Sequence, residues 1–177
     1  MSYTIWFTGL SGSGKTTIAE GLVRRLRREN ISVVLLDGDE VRKTLSADLG
    51  YTKEQRDKHI TRVANMCYLI TKNNVLNVAC VISPTKKIRR YASGLIGDKF
   101  IEVYVKCPLS RCEERDVKGL YSKARKEHID FVGINVPYEE PEQPDIVLFT
   151  DIEKPDESVN KLYYFIKEKV ENDKFFD

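Results

Sequence analysis

Gly9-Leu10-Ser11-Gly12-Ser13-Gly14-Lys15-Thr16 decides how this chain folds. The octapeptide matches G-x-x-x-x-G-K-[ST], the phosphate-binding loop, and its surroundings are those the motif needs. The apolar stretch Tyr3–Thr8 runs into it as a strand. Thr16–Glu29 leaves it as a helix, with Ile18, Ala19, Leu22, Val23 and Leu26 spaced by three and four. Three glycines let the backbone curl around an anion with its N–H groups inward, and the helix N-terminus adds its positive end. The expected donor site is Gly9, Ser11, Gly12, Ser13, Gly14, Lys15, Thr16 and Thr17. Lys15 is suited to the β- and γ-phosphates, and the Thr16 hydroxyl to Mg²⁺, a hard cation that takes oxygen ligands. ATP and Mg²⁺ are therefore the expected donor and metal.

Outward from the loop, Val- and Ile-rich runs recur at Ile31–Leu36, Val75–Ile82, Phe100–Val105 and Asp145–Phe149. Near-continuous apolar runs are what strands covered on both faces look like. Between them, Lys53–Asn73 carries Ile60, Val63, Ala64 and Cys67 at helical spacing, and Ser158–Val170 reads as a terminal helix. The alternation predicts an α/β fold of the P-loop NTPase type, a parallel five-stranded sheet with helices on both faces. Residues 108–138 interrupt the pattern. They hold Arg111, Arg115, Lys118, Lys123, Arg125 and Lys126 without a strand-like run, and are expected to form a mobile basic lid on a single domain spanning 1–177.

Composition narrows the function. The 177 residues contain 41% hydrophobic side chains, enough for one core, and 29 Lys and Arg against 27 Asp and Glu leave a charge of +2. Such a balance gives no footprint for nucleic acid or a membrane surface. No run approaches the ~18 apolar residues of a membrane span, and the N-terminus does not read as a secretory leader. A cytoplasmic protein is expected. Cys67, Cys80, Cys107 and Cys112 have neither CxxC pairing nor zinc spacing and read as reduced thiols.

The loop alone does not separate a kinase from a GTPase or a motor. After the second strand comes Asp37-Gly38-Asp39-Glu40 instead of the Asp-x-x-Gly switch, and no guanine-reading Asn/Thr-Lys-x-Asp occurs. Asp37 and Asp39 follow a parallel strand at its C-terminal end, where open α/β sheets gather ligands. Asp37 fits a proton acceptor for an attacking hydroxyl or an organiser of the metal's water shell, while Asp39 also suits a helix cap before Val41. Arg42, Arg56 and Arg62 follow, cations suited to a bidentate hold on phosphate-like groups. An anionic acceptor is expected, and Arg115 and Lys118 supply the cationic cover that a loose phosphoryl transition state requires.

Together, Gly9–Thr17, Asp37-Gly-Asp-Glu-Val-Arg42, Asp48-Leu-Gly-Tyr51, Ile82-Ser-Pro84, Arg115-Asp-Val-Lys-Gly-Leu-Tyr121, Gly133-Ile-Asn135 and Pro137-Tyr-Glu139 resemble the adenylylsulfate kinase family over nearly the whole chain. The resemblance implies transfer of the ATP γ-phosphoryl group to the 3′-hydroxyl of adenosine 5′-phosphosulfate. It implies Lys15, Asp37 and Arg115 as catalytic residues and Asp39, Arg42, Tyr51, Arg56, His59, Ile82, Ser83, Lys118 and Phe131 as the acceptor site. It also implies Thr16 at Mg²⁺, with Asp37 reaching the metal through water, and a homodimer. The chain departs from the family pattern at Glu40 (usually Asn), Tyr51 (Phe), His59 (Asn) and Thr61 (Arg), all on the acceptor side. Those departures raise an alternative, a sister kinase acting on another nucleotide anhydride such as a cytidine diphosphoramidate.

Overall fold

A computed structural model describes residues 2–174, with side chains through 171. Its centre is β1 (Thr4–Thr8), whose alternate side chains enter two different cores. Ile5 and Phe7 face one side, with α1 (Lys15–Arg28) and α7 (Pro155–Lys174) packed over them through Leu22, Leu26, Leu162 and Ile166. Trp6 faces the other, under α3 (Lys53–Lys72) and α4 (Lys86–Ile96), among Val63, Cys67, Ala79 and Ala92. The period-two alternation of a strand buried on both faces makes β1 the shared wall of two cores.

With β2 (Val33–Asp37), β3 (Leu76–Cys80), β4 (Phe100–Lys106) and β5 (Ile146–Phe149), β1 forms a five-stranded sheet in the order β2-β3-β1-β4-β5. Every pairing is parallel. The fold class expected from the sequence is the one observed. The chain leaves β1 for a strand on one side and later returns to pair on the other. All five carboxyl ends therefore open onto one edge, with the phosphate loop at the switch point.

The helices begin where local chemistry starts them. The Thr52 hydroxyl accepts from the Gln55 N–H at 3.3 Å, and the Gln55 side chain answers to the Thr52 N–H, forming a capping box on α3. Thr85 caps α4. That helix is not evident in the sequence, because Lys86, Lys87, Arg89 and Arg90 obscure the apolar spacing of Ile88 and Ala92. Helix α7 starts at Pro155, a favoured first helical residue, three positions earlier than Ser158, and runs past Val170.

Segment 108–138 differs from the expectation of a purely surface element. It contains α5 (Leu109–Arg115) and α6 (Leu120–Glu127), and it has a core of its own. Cys107, Cys112 and Tyr121 are buried there against Leu10, Leu109, Phe131 and Ile134. Its density of charge hid three apolar anchors, Leu109, Cys112 and Tyr121, that fall on the inner side of two very short helices. Among the described residues no helix is long and apolar enough to cross a membrane, and all four cysteines are buried free thiols.

Candidate active site

The loop after β1 turns by left-handed steps at Gly12 (φ 72°) and Gly14 (φ 100°), the second of which precedes α1. Gly12 is also a matter of space, since a Cβ there would meet the Cys112 carbonyl oxygen at 3.0 Å. The loop is braced from outside. Tyr121 donates its hydroxyl to the Ser11 carbonyl at 2.9 Å, and Thr150 donates to the Ser13 carbonyl at 2.6 Å. Neither brace was identified in the sequence. Thr150 follows β5 at the ligand-gathering edge, a placement that marks it; Tyr121 closes the Arg115–Tyr121 stretch that resembles the family, and that is its signal in an otherwise charged segment.

Lys15 Nζ donates to the Gly9 carbonyl at 3.0 Å and the Leu10 carbonyl at 2.6 Å. Dehydration against the loop lowers its pKa to about 8 from 10.5. Phosphate oxygens entering the loop would replace those carbonyls with full negative charge. The Ser13 hydroxyl is buried and has no partner among the described residues. Thr17 lies exposed on the first turn of α1.

Thr16 Oγ1 donates to Asp37 Oδ2 at 3.1 Å, which joins the first turn of α1 to the end of β2. The other oxygen, Asp37 Oδ1, accepts from the Asp39 N–H at 2.8 Å. Asp37, and not Asp39, is therefore the cap of α2 (Gly38–Lys43). Asp39 instead reaches across the crevice to an ion pair with Lys118. Arg115 Nη1 approaches the Gly12 carbonyl at 3.5 Å and Nη2 donates to the Thr150 carbonyl, bridging the phosphate loop and the end of β5.

On the acceptor side, the Arg42 guanidinium lies 4.8 Å from the centre of the exposed Tyr51 ring and donates to the Gly50 carbonyl at 2.9 Å. Arg56 donates to the Asp130 carbonyl at 2.6 Å, so it reaches the segment bearing Phe131. Phe131 packs edge-on to Tyr121 at 4.9 Å. Arg62 is committed elsewhere, to Asp48 and to the Leu45 carbonyl, and holds the loop after α2. His59 is only 4% exposed, its Nδ1 has no partner among the described residues, and burial, with Arg42 next in effect, lowers its pKa to about 4.

Ile82 is half-buried just past β3, whereas Ser83 is fully buried with a left-handed backbone (φ 40°). Its hydroxyl accepts from Trp6 Nε1 at 3.2 Å and donates to Thr8 Oγ1 at 2.9 Å. Thr8 in turn donates to the Ile82 carbonyl at 2.8 Å and meets the Tyr138 hydroxyl at 2.9 Å. The Ser83 side chain thus faces inward, and only the backbone around it can line the crevice. Of the departures from the family pattern, Glu40 is exposed and pairs with Lys43 at 2.7 Å, and the Thr61 hydroxyl returns to the Asp57 carbonyl at 2.9 Å.

A family model described as adenylylsulphate kinase matches residues 1–149. The adenylyl-sulfate kinase of Halothermothrix orenii is 50% identical over 167 residues, covering 94% of this chain and 90% of its own. The Mycobacterium tuberculosis APS kinase, solved with AMPPNP and APS, superposes with a TM-score of 0.88 at 38% identity, covering 94% of this chain and 98% of its own. A hexameric APS kinase from Thiobacillus denitrificans has a TM-score of 0.72 at 30% identity, covering 94% of this chain and 29% of its own.

Proposed function

Because this chain belongs to the adenylylsulfate kinase family, we propose that it transfers the γ-phosphoryl group of ATP to the 3′-hydroxyl of adenosine 5′-phosphosulfate, yielding ADP and 3′-phosphoadenylyl sulfate. One observation carries the reading. The phosphate loop, the Thr16–Asp37 pair and the Arg42–Tyr51 pair lie at the same sheet edge, an arrangement that supports a donor phosphate and an anionic nucleotide meeting at Asp37.

In this reading the acceptor 3′-oxygen attacks the γ-phosphorus as the bond to the β–γ bridging oxygen breaks, and Asp37 takes the hydroxyl proton. Lys15 neutralises charge on the phosphates, while Arg115 and Lys118 cover them and exclude water. Arg42 and Arg56 hold the phosphosulfate, with Asp39 between them and Lys118. Tyr51 and Phe131 offer aromatic surface to the adenine, Ile82 and the Ser83 backbone line the floor, and His59 supports it from below.

Thr16 and Asp37 place two oxygen ligands side by side, a donor set that fits a hard cation whose other ligands are phosphate oxygens and water. Mg²⁺ bound there would neutralise charge developing between the β- and γ-phosphates. The alternative acceptor is not favoured. The relatives named above are adenylyl-sulfate kinases, and Glu40 and Thr61 are engaged with their own helices. Purified protein with ATP, Mg²⁺ and adenylylsulfate is expected to form the 3′-phosphorylated product. No turnover at micromolar adenylylsulfate, alongside ATP consumption with another nucleotide, would refute the assignment. The family likeness also supports a homodimer, for which light scattering should give twice the 20.4 kDa of one chain.

A further inference from the structure

Arg89 lies on α4, outside every motif discussed so far, and is 4% exposed. Its guanidinium uses all three nitrogens. Nη1 donates to the Ser83 carbonyl at 2.7 Å, Nη2 donates to the Glu139 carbonyl at 2.6 Å, and Nε faces Glu102 Oε1 at 3.0 Å. The plane also lies 5.7 Å from the centre of the Tyr138 ring. Glu139 is tied to the same place twice more, by its N–H to the Pro84 carbonyl at 2.8 Å and by its carboxylate to the Lys86 N–H at 2.7 Å.

We propose that Arg89 is a positioning residue for the acceptor: its planar fork locks the Ile82–Pro84 turn to the Pro137–Glu139 stretch that returns from segment 108–138. Burying an ion pair is a poor route to stability, because removing two charges from water costs about as much as their attraction returns. What an arginine supplies here is geometry. Two carbonyls, in the turn after β3 and in the returning loop, and the Glu102 carboxylate on β4 diverge from one point, and a rigid guanidinium faces all three, which a lysine ammonium on a flexible stem does not. Two of these are backbone carbonyls of segments that border the crevice, and the first belongs to Ser83, whose φ of 40° is uncommon for a residue with a side chain. The Trp6–Ser83–Thr8–Tyr138 hydrogen bonds then transmit that placement to the end of β1, where the phosphate loop begins.

The inference rests on the acceptor reading above, and its test separates the two. Arg89→Lys retains the charge, and the pair Arg89→Met with Glu102→Gln removes it without leaving a buried carboxylate unpaired. Both are expected to fold, and to raise the KM for adenylylsulfate roughly tenfold or more while the KM for ATP stays within about twofold. Millimolar guanidinium added to Arg89→Ala should lower the acceptor KM again. Arg90→Ala, one position on and exposed, serves as the control and should match the wild type. Trp6 gives a readout independent of substrate. As the single tryptophan, hydrogen-bonded to Ser83, it should shift its emission in Arg89→Lys at unchanged circular dichroism. An unchanged acceptor KM, or equal rises in both KM values without rescue, would overturn the proposal. Should the wild type not use adenylylsulfate at all, the acceptor reading fails, and an unmoved Trp6 emission would then overturn the role of Arg89 on its own.

Discussion

Asp37 carries two duties, since one carboxylate oxygen caps α2 and the other faces Thr16. Asparagine is as good a helix cap as aspartate but cannot accept the proton. Asp37→Asn should therefore keep its melting temperature while kcat falls by roughly two to four powers of ten, a split that activity and thermal melts measured together will reveal. Lys15 makes a pH prediction. With a pKa of about 8 in the nucleotide-free protein, it is largely neutral above that pH, and binding ATP must then take up a proton. ATP affinity should hold below pH 8 and decline by up to about tenfold per unit above it. Titration calorimetry at pH 9 in buffers of different ionisation enthalpy should register the uptake. His59 acts through stability. Its folded pKa of about 4 lies below the free value of 6.5, so the unfolded chain binds the extra proton; its contribution is complete above 6.5 and is lost as pH falls towards 4. His59→Asn should flatten that part of the melting-temperature profile.

At the scale of elements, the phosphate loop is fixed by what surrounds it as much as by its own sequence. A Cβ on Gly9 would come within 2.5 Å of the Val105 carbonyl oxygen on β4, a contact with backbone that has no side-chain escape. Gly9→Ala should destabilise the protein by about 2 kcal/mol or more and move the loop away from its phosphate-binding shape; denaturant titration and ATP binding would both register it. The Lys118–Asp39 pair is of another kind. Both side chains are more than half exposed, so Lys118→Ala should leave the melting temperature nearly unchanged while turnover drops, as steady-state kinetics would show. These elements were legible in the sequence to different depths. The loop, its strand and its helix followed from a motif with a steric and electrostatic reason at each position. What Thr150, Tyr121 and Arg89 do was not legible, because each acts on a backbone carbonyl far away in the chain, and a carbonyl leaves no mark in a residue code. The family resemblance puts Ser83 among the acceptor contacts, but which way a hydroxyl turns depends on Trp6 and Thr8, residues of another strand.

For the whole molecule, the sheet was readable because its strands are apolar on both faces, and the helices between them could only be crossovers. The third core beneath segment 108–138 was hidden by six basic residues that dominate its composition although they lie outside its packing. The position of β1 at the centre of the sheet has a further consequence, for synthesis. This strand is the first made, yet its partners arrive much later: Thr4 pairs with Asn77 and Phe100. At roughly 5–20 residues per second, Ile5, Trp6 and Phe7 wait about four to fifteen seconds for β3 and about five to twenty seconds for β4, which completes their pairing. The fully buried central strand of the sheet is thus the one that waits longest for its neighbours, and the nascent chain is most exposed to aggregation, and most in need of a chaperone, before the residues of β4 emerge from the ribosome.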